Sequence, residues 1–187
     1  MTIRGIDLSN YAGDVVTAAT MRQIKTSQNV ERAIIACQFS DTWNNHSQAC
    51  WRAGFDVSDA YLYLYNSDPD WAGAVVQAQQ TIGDTPIRRL WLDVEDPNPP
   101  ADVPPRLEAA IAAATLPIGI YTRLDYWQSI GNPQLGSRLP LWVANWDGNP
   151  NGGFDVDFGG WLAAQVKQYA GSFTSYGVQM GLDSWES

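Results

Sequence analysis

Apolar residues in this chain gather in short runs that alternate with longer stretches of helical period. The runs at residues 3–8, 33–38, 60–65, 87–94 and 117–122 predict short, mostly buried strands. Each is followed by a stretch whose apolar positions recur at helical spacing, at about 17–27, 47–55, 71–82, 104–114 and 124–130. Thr17, Ser47 and Asp102 or Val103 stand near the expected helix starts, and Pro105 is tolerable in a first turn. After Gly136 the rhythm changes. Residues 139–146, 164–169 and 178–183 predict strands, whereas 96–105 and the Asn-, Gly- and Pro-rich stretch 148–160 predict surface loops. Five strand–helix units followed by three strands predict an α/β fold, with parallel strands closing into an irregular eight-stranded barrel of the TIM type. With no internal repeat or linker, the 187 residues are expected to form one domain, residues 1–187.

The run Leu90-Trp91-Leu92-Asp93-Val94-Glu95-Asp96 ends in three acids and breaks at Pro97. Side chains alternate along a strand, so Asp93 and Glu95 should face one cleft while Val94 points away. Two carboxyls held close push each other's proton affinities apart, and burial raises the less solvated one, which suits general acid catalysis on a glycosidic oxygen. The competing reading is a strand end whose acids are solvated or cap the next helix. In parallel barrels the reactive groups gather at the carboxyl ends of strands. Asp7 ends the first predicted strand and Asp183 the last, and these two strands become neighbours on closure. Asp7 and Asp183 should therefore lie side by side and face the Asp93–Glu95 pair across the mouth.

Composition narrows the chemistry. A formal charge of −9 argues against a nucleic-acid partner, whose phosphates require clustered Lys and Arg. Nine tryptophans and eight tyrosines suit sugar rings, although most must belong to the core. Trp43, Trp146 and Trp185, at strand ends or in loops, are the ones expected to leave it. Cys37 and Cys50 have no third cysteine and no Cys-x-x-Cys around them, and the chain has a single histidine, so no metal site is expected. Two buried free thiols are the simpler account, and a disulfide between them stays open. His46 lies in the polar stretch Asn44-Asn45-His46-Ser47 and is expected at the surface or at a helix start. The start of the chain enters a predicted strand at once, and no apolar run approaches the ~20 residues that cross a bilayer. We therefore expect neither a signal peptide nor membrane insertion, with synthesis in the cytoplasm and action on a cell wall after release, or association with a virion. The sequence assigns no oligomeric state.

Six segments, taken in order, resemble the family 25 glycoside hydrolases, the lysozymes or N-acetylmuramidases of bacteriophages, bacteria and fungi. Gly5-Ile6-Asp7-Leu8-Ser9 is similar to the family's Gly-Ile-Asp-Val-Ser, and Leu92-Asp93-Val94-Glu95 to its Leu-Asp-Val-Glu. Gly119-Ile120-Tyr121-Thr122, Leu141-Trp142-Val143-Ala144, Gln168-Tyr169 and Leu182-Asp183 are similar to its Ile-Tyr-Thr, Leu-Trp-Ile-Ala, Trp-Gln-Tyr and Val-Asp-Leu-Asn segments. The resemblance implies a flattened five-plus-three barrel. It also implies cleavage of the β-1,4 bond between N-acetylmuramic acid and N-acetylglucosamine in peptidoglycan glycan strands, without metal or organic cofactor. By this matching Glu95 is the general acid, Asp93 orients the 2-acetamido group or stabilises positive charge, and Asp7 and Asp183 tune and position. Tyr61, Tyr63, Tyr121 and Trp142 would line the sugar groove. Attack by the substrate's own acetamido oxygen, giving retention, is favoured over a carboxylate nucleophile.

The chain departs from the family pattern at four places. Ala36-Cys37-Gln38-Phe39 replaces a Lys-Ala-Thr-Glu segment that carries a charged pair, and Leu62 replaces the His between the two tyrosines of the third strand. Lys167 stands where the family has the Trp of Trp-Gln-Tyr, and Trp185 where it closes with Asn. These changes leave two alternatives to a muramidase: a glycan-binding or virion structural barrel with little turnover, or a glycosidase for a different polysaccharide.

Overall fold

A computed structural model describes residues 2–13, 15–136 and 138–186. Five strand–helix units come first: β1 (Ile3–Leu8), α1 (Ala18–Gln28), β2 (Arg32–Ala36), α2 (Ser40–Ala53), β3 (Asp56–Tyr63), α3 (Trp71–Ile82), β4 (Arg89–Asp93), α4 (Val103–Ala113), β5 (Ile118–Thr122) and α5 (Leu124–Ser129). Five strands follow: β6 (Leu141–Ala144), β7 (Asp155–Phe158), β8 (Trp161–Ala163), β9 (Val166–Ser175) and β10 (Val178–Trp185). Eight of these close a barrel in the order β1-β10-β9-β6-β5-β4-β3-β2, so the predicted five-plus-three α/β barrel is what forms.

Two differences from the sequence reading matter. The stretch 148–160 is not all loop, because β7 pairs with β8 in a separate two-stranded sheet. The barrel is also not wholly parallel. β1 through β6 and then β9 run parallel to their neighbours, whereas β10 is antiparallel to both β9 and β1. The β9–β10 turn is too short for a crossover, and parallel strands require one. Tyr176 and Gly177 make that turn with φ of 51° and 81°, the left-handed pair that a two-residue hairpin favours.

Helix α2 begins seven residues before the predicted position. Its buried face includes Trp43, His46, Ser47 and Cys50, a spacing of three and four, with two polar residues occupying seats usually taken by apolar ones. His46 is therefore not at the surface or at a helix start. It lies mid-helix and buried, and burial lowers its proton affinity. Cys37 and Cys50 are both free and buried, and burial pushes the Cys50 thiol up to about 12 and that of Cys37 higher still.

Alternation along the strands divides the interior in two. Ile6, Leu8, Ile35, Leu90, Leu92 and Ile120 face the helices and form the main core. Ile34, Ala36, Tyr61, Trp91, Tyr121, Trp142, Val166 and Trp185 fill the barrel itself. Large and small residues are matched there, since a Cβ on Gly5 would run into the Trp185 ring and one on Gly119 into the Trp91 ring.

Lys167 points out of the barrel yet has no exposed surface. Its Nζ donates to both Asp147 carboxylate oxygens at 2.7 Å and to the carbonyls of Asn149 (2.9 Å) and Gly152 (2.7 Å). One buried cation thus gathers the β6–β7 connection, next to Trp146. Burial raises the Asp147 carboxyl, but the Lys167 hydrogen bond, the Asn149 amide and the Lys167 charge outweigh it and hold it below the usual carboxylate range. Lys167→Met, which keeps the stem and removes the donors, is expected to cost about 2 kcal/mol in urea unfolding, because the vacated acceptors can partly turn to water.

Candidate active site

The carboxyl ends of the parallel strands surround a cavity of about 460 Å³ lined by Asp7, Asp93, Glu95, Tyr61, Tyr63, Tyr121 and Trp142, together with Ser9, Asn10, Tyr11, Gln38, Tyr65, Trp146, Gln168 and Gly171. Seven of the eight residues singled out from the sequence therefore meet in one place. The eighth, Asp183, does not reach the mouth. β10 runs antiparallel to β1, so its carboxyl end lies at the far end of the barrel, and Asp183 pairs with Gly5 while Gly181 pairs with Asp7. Asp183 does sit against Asp7, but one inward layer beneath it and fully buried.

The acids stack in depth. At the bottom, Asp183 Oδ1 accepts from Trp142 Nε1 at 2.9 Å. Burial and the neighbouring Asp7 charge carry its proton affinity well above that of an ordinary carboxyl. Above it Asp7 Oδ2 accepts from Gln168 Nε2 at 2.7 Å. Burial lifts Asp7 to about 6, against hydrogen bonds from Gln168, Asp183 and backbone amides that favour its ionised form. Gly181 makes this approach possible, because a Cβ there would occupy the place of the Asp7 carboxylate and crowd Gln168 Nε2. Across the cavity Asp93 is buried, and desolvation with the charges of Glu95, Asp7 and Asp96 raises it strongly. Its Oδ1 has no hydrogen-bond partner. Glu95, two residues beyond β4 on the same face, is half-buried. Burial raises it, the Arg123 cation pulls it down, Asp7 and Asp125 push it up, and the Tyr121 hydroxyl opposes them.

Aromatic walls flank the acids. Tyr63 and Tyr65 pack with ring centroids 4.7 Å apart, and Tyr65 contacts the exposed Tyr11. Asp96, the third acid of the strand-end run, has a structural task. It accepts from the Tyr63 hydroxyl at 3.0 Å and from the Asn66 amide at 2.6 Å, fixing that wall. The other wall is Trp146, 53 % exposed, lying over Gly171 with the Arg123 guanidinium 5.8 Å from its ring. Of the three tryptophans expected to leave the core, only Trp146 does so. Trp43 is buried under α2 and Trp185 closes the bottom of the barrel.

Sequence reasoning missed Tyr11, Tyr65, Arg123 and the central part played by Gln168. Gln38, where the family pattern has a charged pair, lines the cavity with an unpartnered buried Oε1. Among the described residues no group of three or more His, Cys, Asp or Glu is placed to hold a metal ion. None of the described helices is long and apolar enough to cross a membrane.

Residues 6–169 match the family model described as lysozyme-like protein 1. A probable GH family 25 lysozyme 5 from Dictyostelium discoideum is 30% identical over 147 residues, covering 72% of this chain and 68% of that protein. Counting factor 50 of the same organism is 30% identical over 182 residues, covering 86% of this chain but 60% of its own length. Among solved structures, the Streptomyces coelicolor lysozyme superposes with a TM-score of 0.69 at 18% identity, covering 99% of this chain and 92% of that one. A glycosyl hydrolase 25 of Streptococcus pneumoniae gives 0.73 at 16% identity, covering 98% and 87%.

Proposed function

Because the chain belongs to the family 25 glycoside hydrolases, the lysozymes, and is thereby a glycosidase, we propose that it hydrolyses the β-1,4 bond between N-acetylmuramic acid and N-acetylglucosamine in peptidoglycan, with Glu95 as general acid. One observation carries this reading. Glu95 stands half-buried in an aromatic-walled cavity, its proton affinity raised by burial and by the Asp7 charge against the pull of Arg123, with a second, deeper acid on the same strand face. A protonated carboxyl beside the scissile oxygen is what a leaving alcohol requires.

In this mechanism the acetamido oxygen of the muramic acid residue attacks its anomeric carbon as the bond to the leaving oxygen breaks. The Glu95 proton passes to that oxygen. The Glu95 carboxylate then takes a proton from water, whose oxygen adds to the anomeric carbon and restores the acetamido group with net retention. Asp93 suits the orienting role, since its open Oδ1 can accept the acetamido N–H. Asp7 sustains the proton on Glu95 by its charge, and Asp183 holds Asp7 in place from below. The tyrosines and Trp142 offer ring faces and edges to the sugars, with residues 1–187 acting as one catalytic domain.

Incubation with purified, de-O-acetylated peptidoglycan, borohydride reduction and mass spectrometry tests the bond. Muramitol-ended fragments are the expected product. Fragments ending in reduced N-acetylglucosamine would reject the bond assignment. Binding without new reducing ends, from folded protein, would reject the hydrolase reading in favour of a glycan-binding barrel.

A further inference from the structure

We propose that Gln168 is a positioning residue that keeps Asp7 as the ionised member of the Asp7–Asp183 couple, and that Trp146 sets the orientation in which Gln168 does this. Which groups can donate fixes the arrangement. Gln168 Oε1 accepts from Trp146 Nε1 at 2.7 Å and from the Tyr121 hydroxyl at 2.9 Å, while its Nε2 donates to Asp7 Oδ2 at 2.7 Å. An indole N–H can only donate, so the amide atom facing it has to be the oxygen. The amide nitrogen is then turned to Asp7 by necessity, and Asp7 Oδ2 has to accept.

The donors and acceptors around Asp183 locate the proton. Asp183 Oδ1 is occupied by the Trp142 indole, and Asp183 Oδ2 is buried with no donor pointing at it. As an O–H, that atom satisfies itself by donating to Asp7. One proton on Asp183, none on Asp7, gives each hydrogen bond of the Trp146–Gln168–Asp7–Asp183–Trp142 chain one donor and one acceptor. The reverse placement would make Asp7 the donor to Asp183 Oδ2, and it is disfavoured because Gln168 Nε2 and backbone amides already aim at the Asp7 carboxyl whereas only the Trp142 indole serves Asp183, so the negative charge is better solvated on Asp7.

The consequence reaches the reaction through charge. Asp7 faces Asp183 from β10, Asp93 and Glu95 from the β4 strand end, Tyr61 from β3 and Tyr121 from β5. Its anion raises the proton affinity of Glu95. An exposed aromatic that contacts the groove is thus wired, through one amide, to the ionisation of the acid cluster. Trp146→Phe keeps a ring against Gly171 but removes the N–H. The remaining partner of Gln168 Oε1, the Tyr121 hydroxyl, accepts as readily as it donates, so the amide becomes free to turn its oxygen toward Asp7. Gln168→Leu removes both bonds at similar size.

This inference rests on the glycosidase reading for its catalytic meaning, but its test does not. Carboxyl ¹³C NMR titration of the substrate-free protein should show the Asp7 midpoint about one pH unit higher in Trp146→Phe than in wild type, and at least as high in Gln168→Leu. On wall glycan, Trp146→Phe should move the alkaline limb of kcat to lower pH, since a neutral Asp7 no longer supports the Glu95 proton. An Asp7 midpoint unchanged in both folded variants overturns the proposal. So does a Trp146→Phe effect confined to KM, which is what a sugar platform alone would give. A shifted midpoint in protein that releases no sugar fragments would uphold the wiring and reject the hydrolase reading.

Discussion

Glu95→Gln is expected to lower the rate of reducing-end release from purified cell wall by roughly 10²–10⁴-fold, the range associated with loss of a positioned general acid. The substitution changes one atom in a half-buried side chain, so the groove keeps its shape. Gln cannot give a proton to a leaving alkoxide. Above the pH at which Glu95 ionises it also removes a charge that bears on Asp93, and there the variant should unfold at the same temperature as wild type or slightly above it. Wall binding by sedimentation should be retained, which separates a lost proton donor from a lost groove. A variant that keeps a tenth of wild-type turnover would remove Glu95 from the role and turn attention to Asp93.

How much of this could be seen in the sequence depended on how ordinary each residue's seat is. Helix α3 was legible to its boundaries, 71–82, because its apolar period is regular and Asp70 caps it by accepting from the Gly73 amide at 2.9 Å. Helix α2 was half hidden because His46 and Ser47 sit in its buried face. The β7–β8 hairpin was masked by the glycines and asparagines around a four-residue alternation, Asp155-Val156-Asp157-Phe158. Asp7, Asp93 and Glu95 could be placed because position on a strand decides both depth and face. Asp183 was misplaced by strand direction alone, since a count of strands does not say that the last one turns back.

The remaining part of the site was illegible for a different reason. Lys167 and Gln168 adjoin in sequence, and alternation sends one outward to hold the β6–β7 connection and the other inward to hold Asp7. Nothing in the composition of that strand announces either task. Trp146, from the connection that Lys167 gathers, then meets Gln168 across the cavity rim. Such contacts arise only after closure of the barrel, between groups 20 or more residues apart.

The second large effect is on stability, and it runs opposite to acid denaturation. The protein should melt at a higher temperature at pH 5 than at pH 8. Asp7, Asp59, Asp93, Glu95 and Asp183 all have folded-state proton affinities raised by burial. The unfolded chain releases these protons near pH 4, whereas the folded protein retains them to higher pH. Their contribution is complete below the unfolded values and is lost as pH climbs through the folded ones. For Asp7 alone, carried from 3.8 to about 6, this amounts to about 3 kcal/mol. His46 acts in the other direction, because its lowered proton affinity costs stability as pH falls below the unfolded histidine value, and Asp147 does the same at lower pH. Five carboxyls outweigh these two, and a melting difference of roughly 5 °C or more is expected between pH 5 and 8. Asp183→Asn discriminates the source. An asparagine amide can donate to Asp7 and accept from Trp142 as the protonated acid does, so the variant should match wild type at pH 5 and exceed it at pH 8. A melting profile that rises from pH 5 to 8, or an Asp183→Asn profile parallel to wild type, would mean that the stacked acids are already ionised and that the cost of the site is borne elsewhere. The expected result makes the acid stack a place where stability at neutral pH is given up to keep carboxyl protons available for chemistry.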